Sequence, residues 1–316
     1  LGLLAISNPL DGHSLLIDST ATAGQHNALE ANGSTWTVEG NWYNTDVFDA
    51  GESTITFDGT SVITTPGAAS FNNVSISSGS SLTSYSEGTI NVSGNWTNEG
   101  TFTHNDGTVV FNGTLSGQSI TTGGVTSAFD TITITNTHAD GVTFADALFC
   151  ATLNAQNSDG LGVKKLSFFA NASAVHTITA ELNIDGSAGN LITLAKLAGG
   201  ADYWYIDADT STTVTFVSVS NSIESDTDGI TANTSTNGGG NTNWVFGVIT
   251  WTGATSTSWA TGSNWSSGVV PGGYDNVVIA DGTYDPTLGD ARSVNDIAIS
   301  SGAVLTINAT GVLTAG

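Results

Sequence analysis

The chain reads Val-Glu-Gly-Asn-Trp at 38–42 and Thr-Ile-Thr-Phe-Asp-Gly-Thr at 54–60, and it repeats this pattern as Val-Ser-Gly-Asn-Trp at 92–96 and Thr-Val-Val-Phe-Asn-Gly-Thr at 108–114. The offset is constant and needs no gap, so that Trp96 corresponds to Trp42 just as Thr114 corresponds to Thr60. We call this correspondence the long repeat. Short apolar runs separated by Gly and Asn at a fixed period are typical of arrays in which neighbouring units bury one another's apolar faces. The sequence therefore predicts a repeat architecture.

The composition favours strands. Of the 316 residues, 39% are hydrophobic and only 10% are charged, so small polar residues must supply much of the surface. Thr, Val, Ile and the aromatics dominate the apolar runs, and these residue types suit the pleated surface of a sheet. We predict an all-β fold.

Two all-β architectures fit the long repeat. A parallel β-helix, or β-solenoid, has coils of roughly 20–25 residues, so the repeat would cover between two and three coils. Tandem antiparallel β-sandwich modules would also show short strands with frequent turns. Gly and Asn at recurring corners, together with the ungapped period, favour the β-solenoid.

The long repeat also suggests how the chain is organised. We predict a β-solenoid with two Gly-Asn-Trp repeats at 1–135, a diverged continuation at 136–247, and the Trp-rich start of a further repeat module at 248–316. The segment at 76–82 recurs at 299–305. We expect from this second recurrence that the polypeptide continues with another unit.

The charge of the chain limits its partners. The net charge is −24, and Lys and Arg together number four, so a nucleic acid backbone would be repelled. No run reaches the approximately 18 apolar residues that a transmembrane helix needs, so we predict no direct membrane span. The single cysteine, Cys150, lies in an apolar run and is expected in the core.

Several segments resemble repeats of very large bacterial surface and secreted proteins. They are Gly-Asn-Trp-Thr-Asn-Glu-Gly-Thr-Phe-Thr at 94–103, the segment 107–114 that follows it, and the segments 185–194 and 240–246. The Trp-rich stretch 251–271 is similar to the module that often follows such repeats. This resemblance to adhesin-like β-helix proteins implies an extracellular or cell-surface scaffold, rarely with a defined activity.

One acidic segment is a candidate calcium site. Glu224, Asp226 and Asp228 stand at alternate positions before a Gly, as at the start of a calcium-binding loop. The bidentate Glu expected at the end of such a loop is missing, because Ser235 stands there. Asp202, Asp207 and Asp209 form a second acidic group around Tyr203-Trp204-Tyr205. Apart from calcium, the sequence predicts no cofactor.

Asn-Trp pairs recur along the chain and could serve recognition or packing. Exposed indoles at Trp42 and Trp96 would form a carbohydrate-binding platform, whereas buried ones would cap the core. Because both stand at one position of the repeat, we favour packing.

No catalytic constellation emerges from the sequence. The five histidines are widely separated, and four basic residues offer little choice of catalytic cation. We therefore predict a non-enzymatic extracellular scaffold, structural or adhesive, that associates with copies of itself as a surface, filament or sheath protein. The alternatives are a carbohydrate-binding surface module, for which glycans would be the partners, and a polysaccharide-degrading β-helix enzyme.

Overall fold

The β-solenoid prediction is confirmed. The computed structural model describes residues 15–17, 28–30, 33–44, 47–64, 68–124, 128–158, 160–208, 212–226 and 229–316. Over these residues the chain is all-β, with parallel strands stacked in about 13 solenoid turns and almost no helix. Parallel stacking excludes the tandem antiparallel sandwiches.

The chain divides into two compact units. The first consists of Leu1–Asn154 and His176–Ile178, and the second of Ala155–Val175 and Thr179–Gly316. The boundaries predicted near 135 and 247 do not coincide with this division and remain predictions about repeat modules.

The strands of the first unit are mostly short. In order they are β1 Leu15–Ile17, β2 Ala28–Glu30, β3 Thr35–Val38, β4 Trp42–Asn44, β5 Val47–Asp49, β6 Thr54–Phe57, β7 Thr60–Val62, β8 Ala68–Phe71, β9 Asn73–Ile76, β10 Ser81–Thr83, β11 Thr89–Val92, β12 Trp96–Asn98, β13 Thr101–Thr103, β14 Thr108–Phe111, β15 Gln118–Thr121, β16 Phe129–Ile134 and β17 Val142–Phe144.

Two longer strands, β18 Phe149–Gln156 and β20 His176–Asp185, contain residues of both units. The others belong to the second unit: β19 Lys165–Phe168, β21 Ile192–Lys196, β22 Trp204–Ala208, β23 Thr212–Thr215, β24 Val217–Val219, β25 Ser222–Glu224, β26 Ile230–Asn233, β27 Thr236–Asn237, β28 Trp244–Phe246, β29 Ile249–Trp251, β30 Asn276–Ile279, β31 Thr287–Leu288, β32 Ala291–Val294, β33 Asp296–Ile299, β34 Thr306–Ile307 and β35 Val312–Ala315. A short 3-10 helix occupies Gly262–Asn264.

Three strands make one turn in the middle of the first unit. The first sheet contains β6, β9 and β12, the second contains β7, β10 and β13, and the third contains β8, β11 and β14. The chain visits the three sheets in that order, and each strand hydrogen-bonds in parallel to the strand one turn away. One turn therefore leads from Thr54 to Asn73, and another leads from Val74 to Trp96.

The long repeat does not equal a whole number of turns. In the long repeat, β11 corresponds to β3 and β14 corresponds to β6. Corresponding strands are thus eight strands apart along the chain, which is two and two-thirds turns. This agrees with the predicted two to three coils. Because the advance is fractional, a segment in the first sheet reappears in the third sheet. All three sheets impose the same alternation of inward and outward side chains, so one sequence pattern serves each of them.

Inward side chains form columns, here called ladders, along each sheet. In the first sheet one ladder consists of Trp36, Ile55, Val74, Trp96, Ile120 and Phe144. All six are at most 4% exposed. In the third sheet Phe71, Val92, Phe111 and Ile134 align in the same way. Burial of these apolar surfaces is the main favourable term that holds the turns together.

The Gly-Asn-Trp motif builds a corner. Asn41 Oδ1 accepts a hydrogen bond from the Val62 N–H at 3.0 Å, and Asn95 Oδ1 accepts one from the Ser119 N–H at 2.8 Å. In both copies the asparagine thus links its own turn to the next. A side chain at Gly94 would collide with Asn73 Oδ1, which accepts the Asn95 N–H, so the glycine keeps this corner open.

The same three-strand turn recurs in the second unit. One sheet contains β19, β21, β24 and β27, and β22 pairs with β25 on another side. Towards residue 316, β29, β30 and β33 form a sheet, while β31 pairs with β34 and β32 with β35. This last part has its own core, in which the rings of Trp251 and Trp259 each pack edge-on against Trp265.

Substitution of Trp96 tests the ladder. Trp96 is fully buried and its ring centroid lies 5.0 Å from that of Phe102. We expect Trp96→Ala to lower the free energy of unfolding by about 3–5 kcal/mol, the usual cost of emptying a large aromatic site. Urea denaturation followed by far-UV circular dichroism measures the loss.

Two further variants calibrate this measurement. The Trp96 indole N–H is buried without a hydrogen-bond partner among the described residues, so Trp96→Phe should cost much less than Trp96→Ala. Leu115 is 89% exposed, and Leu115→Ala should shift stability by less than about 0.5 kcal/mol. Equal denaturation midpoints for Trp96→Ala and Leu115→Ala would contradict the ladder.

Candidate functional site

Three carboxylates of the second unit lie close together in space. Asp207, Glu224 and Asp226 each place one potential ligand oxygen within 4.8 Å of those of the other two. Asp207 lies on β22, Glu224 is the last residue of β25, and Asp226 stands two residues after it. We call these three residues the acidic cluster.

Parallel pairing of successive turns brings these residues together. In the β22–β25 pair, Ile206 aligns with Glu224, so Asp207 directly follows the position opposite Glu224. Along β25 the inward positions are Ser222 and Glu224, and both side chains are buried. Glu224 therefore occupies a ladder position that an apolar residue usually fills.

The Glu224 carboxylate is only half satisfied by hydrogen bonds. Its Oε1 accepts the Asp226 N–H at 3.3 Å, but its Oε2 is buried and has no hydrogen-bond partner among the described residues. The backbone around it is fixed from the next turn. Asn243 Nδ2 donates to the carbonyl oxygens of Glu224 at 3.1 Å and of Asp226 at 2.8 Å.

This environment favours the protonated form of Glu224. Burial is the main cause that raises its pKa, from an ordinary value of 4.5 to about 6. A side-chain hydrogen bond with Asp226 and the negative charges of Asp226 and Asp207 add to the rise, while the Asp226 N–H acts in the opposite direction. The cluster thus concentrates negative charge around a buried carboxylate.

The predicted calcium ligands are partly brought together. Glu224 and Asp226 are neighbours in the cluster, whereas Asp228 lies outside the described residues. Ser235 has a different role, since its hydroxyl accepts the Val217 N–H at 3.0 Å and donates to the Asn233 carbonyl at 2.8 Å.

Sequence reasoning placed Asp207 in a separate acidic group and so missed its part in the cluster. The available signal was the spacing along the chain. The step from Asp207 to Glu224 is close to one solenoid turn, such as the step from Trp204 to Ser222, which lie opposite each other in the β22–β25 pair.

Neither tryptophan considered for carbohydrate binding presents a face to solvent. Trp42 is 1% exposed and Trp96 is 0% exposed. The ring of Trp42 packs edge-on against Phe71, and that of Trp96 against Phe102, each with centroids 5.0 Å apart. Both indoles are core residues, as the packing interpretation predicts.

A second group of potential ligands serves turn formation. His104, Asp106 and Asp130 of the first unit also lie close together, but Asp106 is exposed. His104 Nδ1 accepts the Asp106 N–H at 3.0 Å, and His138 Nδ1 accepts the Asp140 N–H at 3.2 Å in a second Thr-His-x-Asp-Gly turn. Among the described residues, the turn of His138 and Asp140 recurs without a third potential ligand. The histidine is therefore explained by its hydrogen bond within the turn.

The first unit also has a polar surface groove of about 440 Å³, lined by Asn72, Asn73, Asn95 and Asn112 among others. The Asn73 amide donates to the Asn72 side chain at 2.8 Å and to the Ser53 carbonyl at 3.3 Å. Much of the groove's polar chemistry is thus used to join turns.

Part of the chain matches a protein-family model. A family model described as a Domain of unknown function (DUF8693) matches residues 250–316. These residues contain the core around Trp251, Trp259 and Trp265. No curated protein and no solved structure matches the chain. Among the described residues, no helix has the length and apolar character needed to cross a membrane.

The raised pKa of Glu224 predicts a pH dependence of stability. The folded state holds the Glu224 proton more tightly than the unfolded chain does. Its contribution to the free energy of unfolding is therefore fully present below pH 4.5 and is lost as the pH rises through about 6. We expect Glu224→Gln, measured with a chelator present, to remove this part of the dependence.

The exposed residue Glu181 provides the control. Denaturation at a series of pH values should give parallel curves for the natural chain and Glu181→Gln, with Glu224→Gln diverging above pH 4.5 by becoming relatively more stable. A Glu224→Gln curve parallel to the other two across this window would contradict the assignment.

Proposed function

We propose that the protein is a non-enzymatic structural scaffold of the cell exterior that associates with further copies of itself. The observation that carries the proposal is that Trp, Asn and His, the residue types that could form a binding or catalytic site, here serve to build and stack the solenoid turns. Trp96 fills a ladder, Asn41 and Asn95 link adjacent turns, and His104 closes a turn. Aromatic and polar side chains that hold adjacent turns together make a fold suited to bear load and to present a surface.

Placement outside the cell is supported by the composition and by the resemblance to bacterial surface repeats. The chain has a net charge of −24 and one cysteine. Burial raises the pKa of Cys150 to about 12, so the thiol stays protonated and unreactive, and the fold does not depend on the redox state of its surroundings.

Self-association is supported by the turn formed by β33, β34 and β35. Each of these strands pairs in parallel with a strand one turn earlier. Ile299, Val304, Ile307 and Val312 in this turn are each about half exposed. The exposed apolar side chains of this turn suit packing against another solenoid turn, and the proposed occupant is a turn of a second copy.

Sedimentation velocity over a range of protein concentrations tests the association. We expect larger species to form as concentration rises, and to form more readily at higher ionic strength, because salt screens the repulsion between chains of charge −24. Ile307→Lys places a charge on the proposed contact and should weaken the association at least tenfold.

Leu161→Lys is the matched control, since Leu161 is 74% exposed in a different part of the second unit. It should associate like the natural chain. A monomer at all concentrations and salt levels, or equal weakening by both substitutions, would contradict the proposed contact. Carbohydrate binding is not proposed, because the two buried indoles remove the observation that suggested it.

A further inference from the structure

We propose that the second unit binds a calcium ion at the acidic cluster, with carboxylate oxygens of Asp207, Glu224 and Asp226 as ligands. This site does not depend on the proposed scaffold role. It rests on the geometry of the three carboxylates and on an unsatisfied oxygen in the interior.

The spacing of the carboxylates fits a single ion. Calcium takes oxygen ligands at about 2.3–2.6 Å, so two ligands on opposite sides of the ion are separated by about 4.6–5.2 Å. The potential ligand oxygens of the cluster all lie within 4.8 Å of one another. One calcium ion therefore reaches all three carboxylates with little rearrangement of their side chains.

The second argument is that Glu224 is buried with one carboxylate oxygen lacking a hydrogen bond within the described part of the chain. Its side chain is 1% exposed, and its Oε2 has no hydrogen-bond partner among the described residues. Burying a carboxylate without a compensating partner is costly, and placing two further carboxylates beside it increases the cost. A cation at the cluster supplies the missing partner and neutralises part of the charge.

The chemistry of the ligands selects a hard cation. The cluster contains only carboxylate oxygens, which suit calcium, magnesium and manganese, and no His or Cys that would favour zinc or copper. Magnesium demands near-ideal octahedral geometry, whereas calcium tolerates the irregular arrangement of ligands drawn from two strands and the segment after one of them. Calcium is therefore the ion that fits this donor set best.

Three of the four basic side chains of the second unit are engaged elsewhere. Lys164 Nζ donates to the Gly160 carbonyl, and Lys196 Nζ donates to the Ala201 carbonyl at 3.1 Å. Arg292 forms an ion pair with Asp290. These three cations thus serve local contacts that do not involve the cluster.

The site would join two successive turns. Asp207 belongs to β22, while Glu224 ends β25 and Asp226 follows two residues later. An ion held by both turns adds a cross-link on this side of the solenoid, where the pairing is short and ends at Ile206 and Glu224. We therefore expect calcium to raise the melting temperature of the second unit.

Terbium luminescence and isothermal titration calorimetry test the site. Trp204 and Tyr205 lie on β22 just before Asp207, close enough to sensitise terbium bound at the cluster. We expect terbium emission on excitation of these rings, displacement of terbium by calcium, and a calorimetric stoichiometry that includes this site. Glu224→Gln and Asp207→Asn should each weaken calcium binding at least tenfold.

The two substitutions guard against a folding artefact, because they lie on different turns and each is close in shape to the natural residue. Glu181→Gln removes an exposed charge of the same unit and should bind calcium as the natural chain does. Absence of calcium binding by the natural chain, or equal affinity in Glu224→Gln and Glu181→Gln, would overturn the proposal. Measurement at concentrations where the chain is monomeric separates this result from the test of self-association.

Discussion

Everything in this chain depends on the parallel hydrogen-bonding of each strand to the strand one turn away. That pairing fixes which residues lie above one another, since Val74 must sit between Ile55 and Trp96 once the backbones are in register. A shift by one residue would turn every inward side chain outward. The alternation of buried and exposed positions is therefore enforced turn by turn, and corners such as Asn95 keep the register by holding the next backbone in place.

The same constraint makes exceptions informative. A ladder position accepts an apolar side chain at no electrostatic cost, so a carboxylate at such a position as Glu224 needs a particular explanation. Asn98 is another buried polar residue, but its amide donates to the Thr122 carbonyl at 2.9 Å and its Oδ1 accepts the Gly100 N–H at 3.0 Å. Asn98 is thus satisfied by the chain itself, whereas one oxygen of Glu224 is not. This contrast distinguishes a structural polar residue from a candidate ligand.

Much of the architecture could be predicted from sequence, because strand period, corner residues and repeat offset are all local or regular signals. The burial of Trp42 and Trp96 followed from their place in the repeat. The composition of the acidic cluster could not be predicted in the same way. Glu224 and Asp226 are neighbours in sequence, but Asp207 joins them only through the register of β22 against β25. Register depends on the length of each intervening corner, and corner lengths vary along the chain.

The fractional advance of the long repeat has a consequence for the direction in which each copy faces. The two copies of the repeat are eight strands apart, which is not a whole number of turns. The sequence unit that can be reused is therefore a single strand on one side of the coil rather than a complete coil. The segments β3 and β11 lie on different sides of the coil, yet both bury the same alternate positions. The two copies of the long repeat therefore face different directions around the coil, which a stack of identical full turns would not produce.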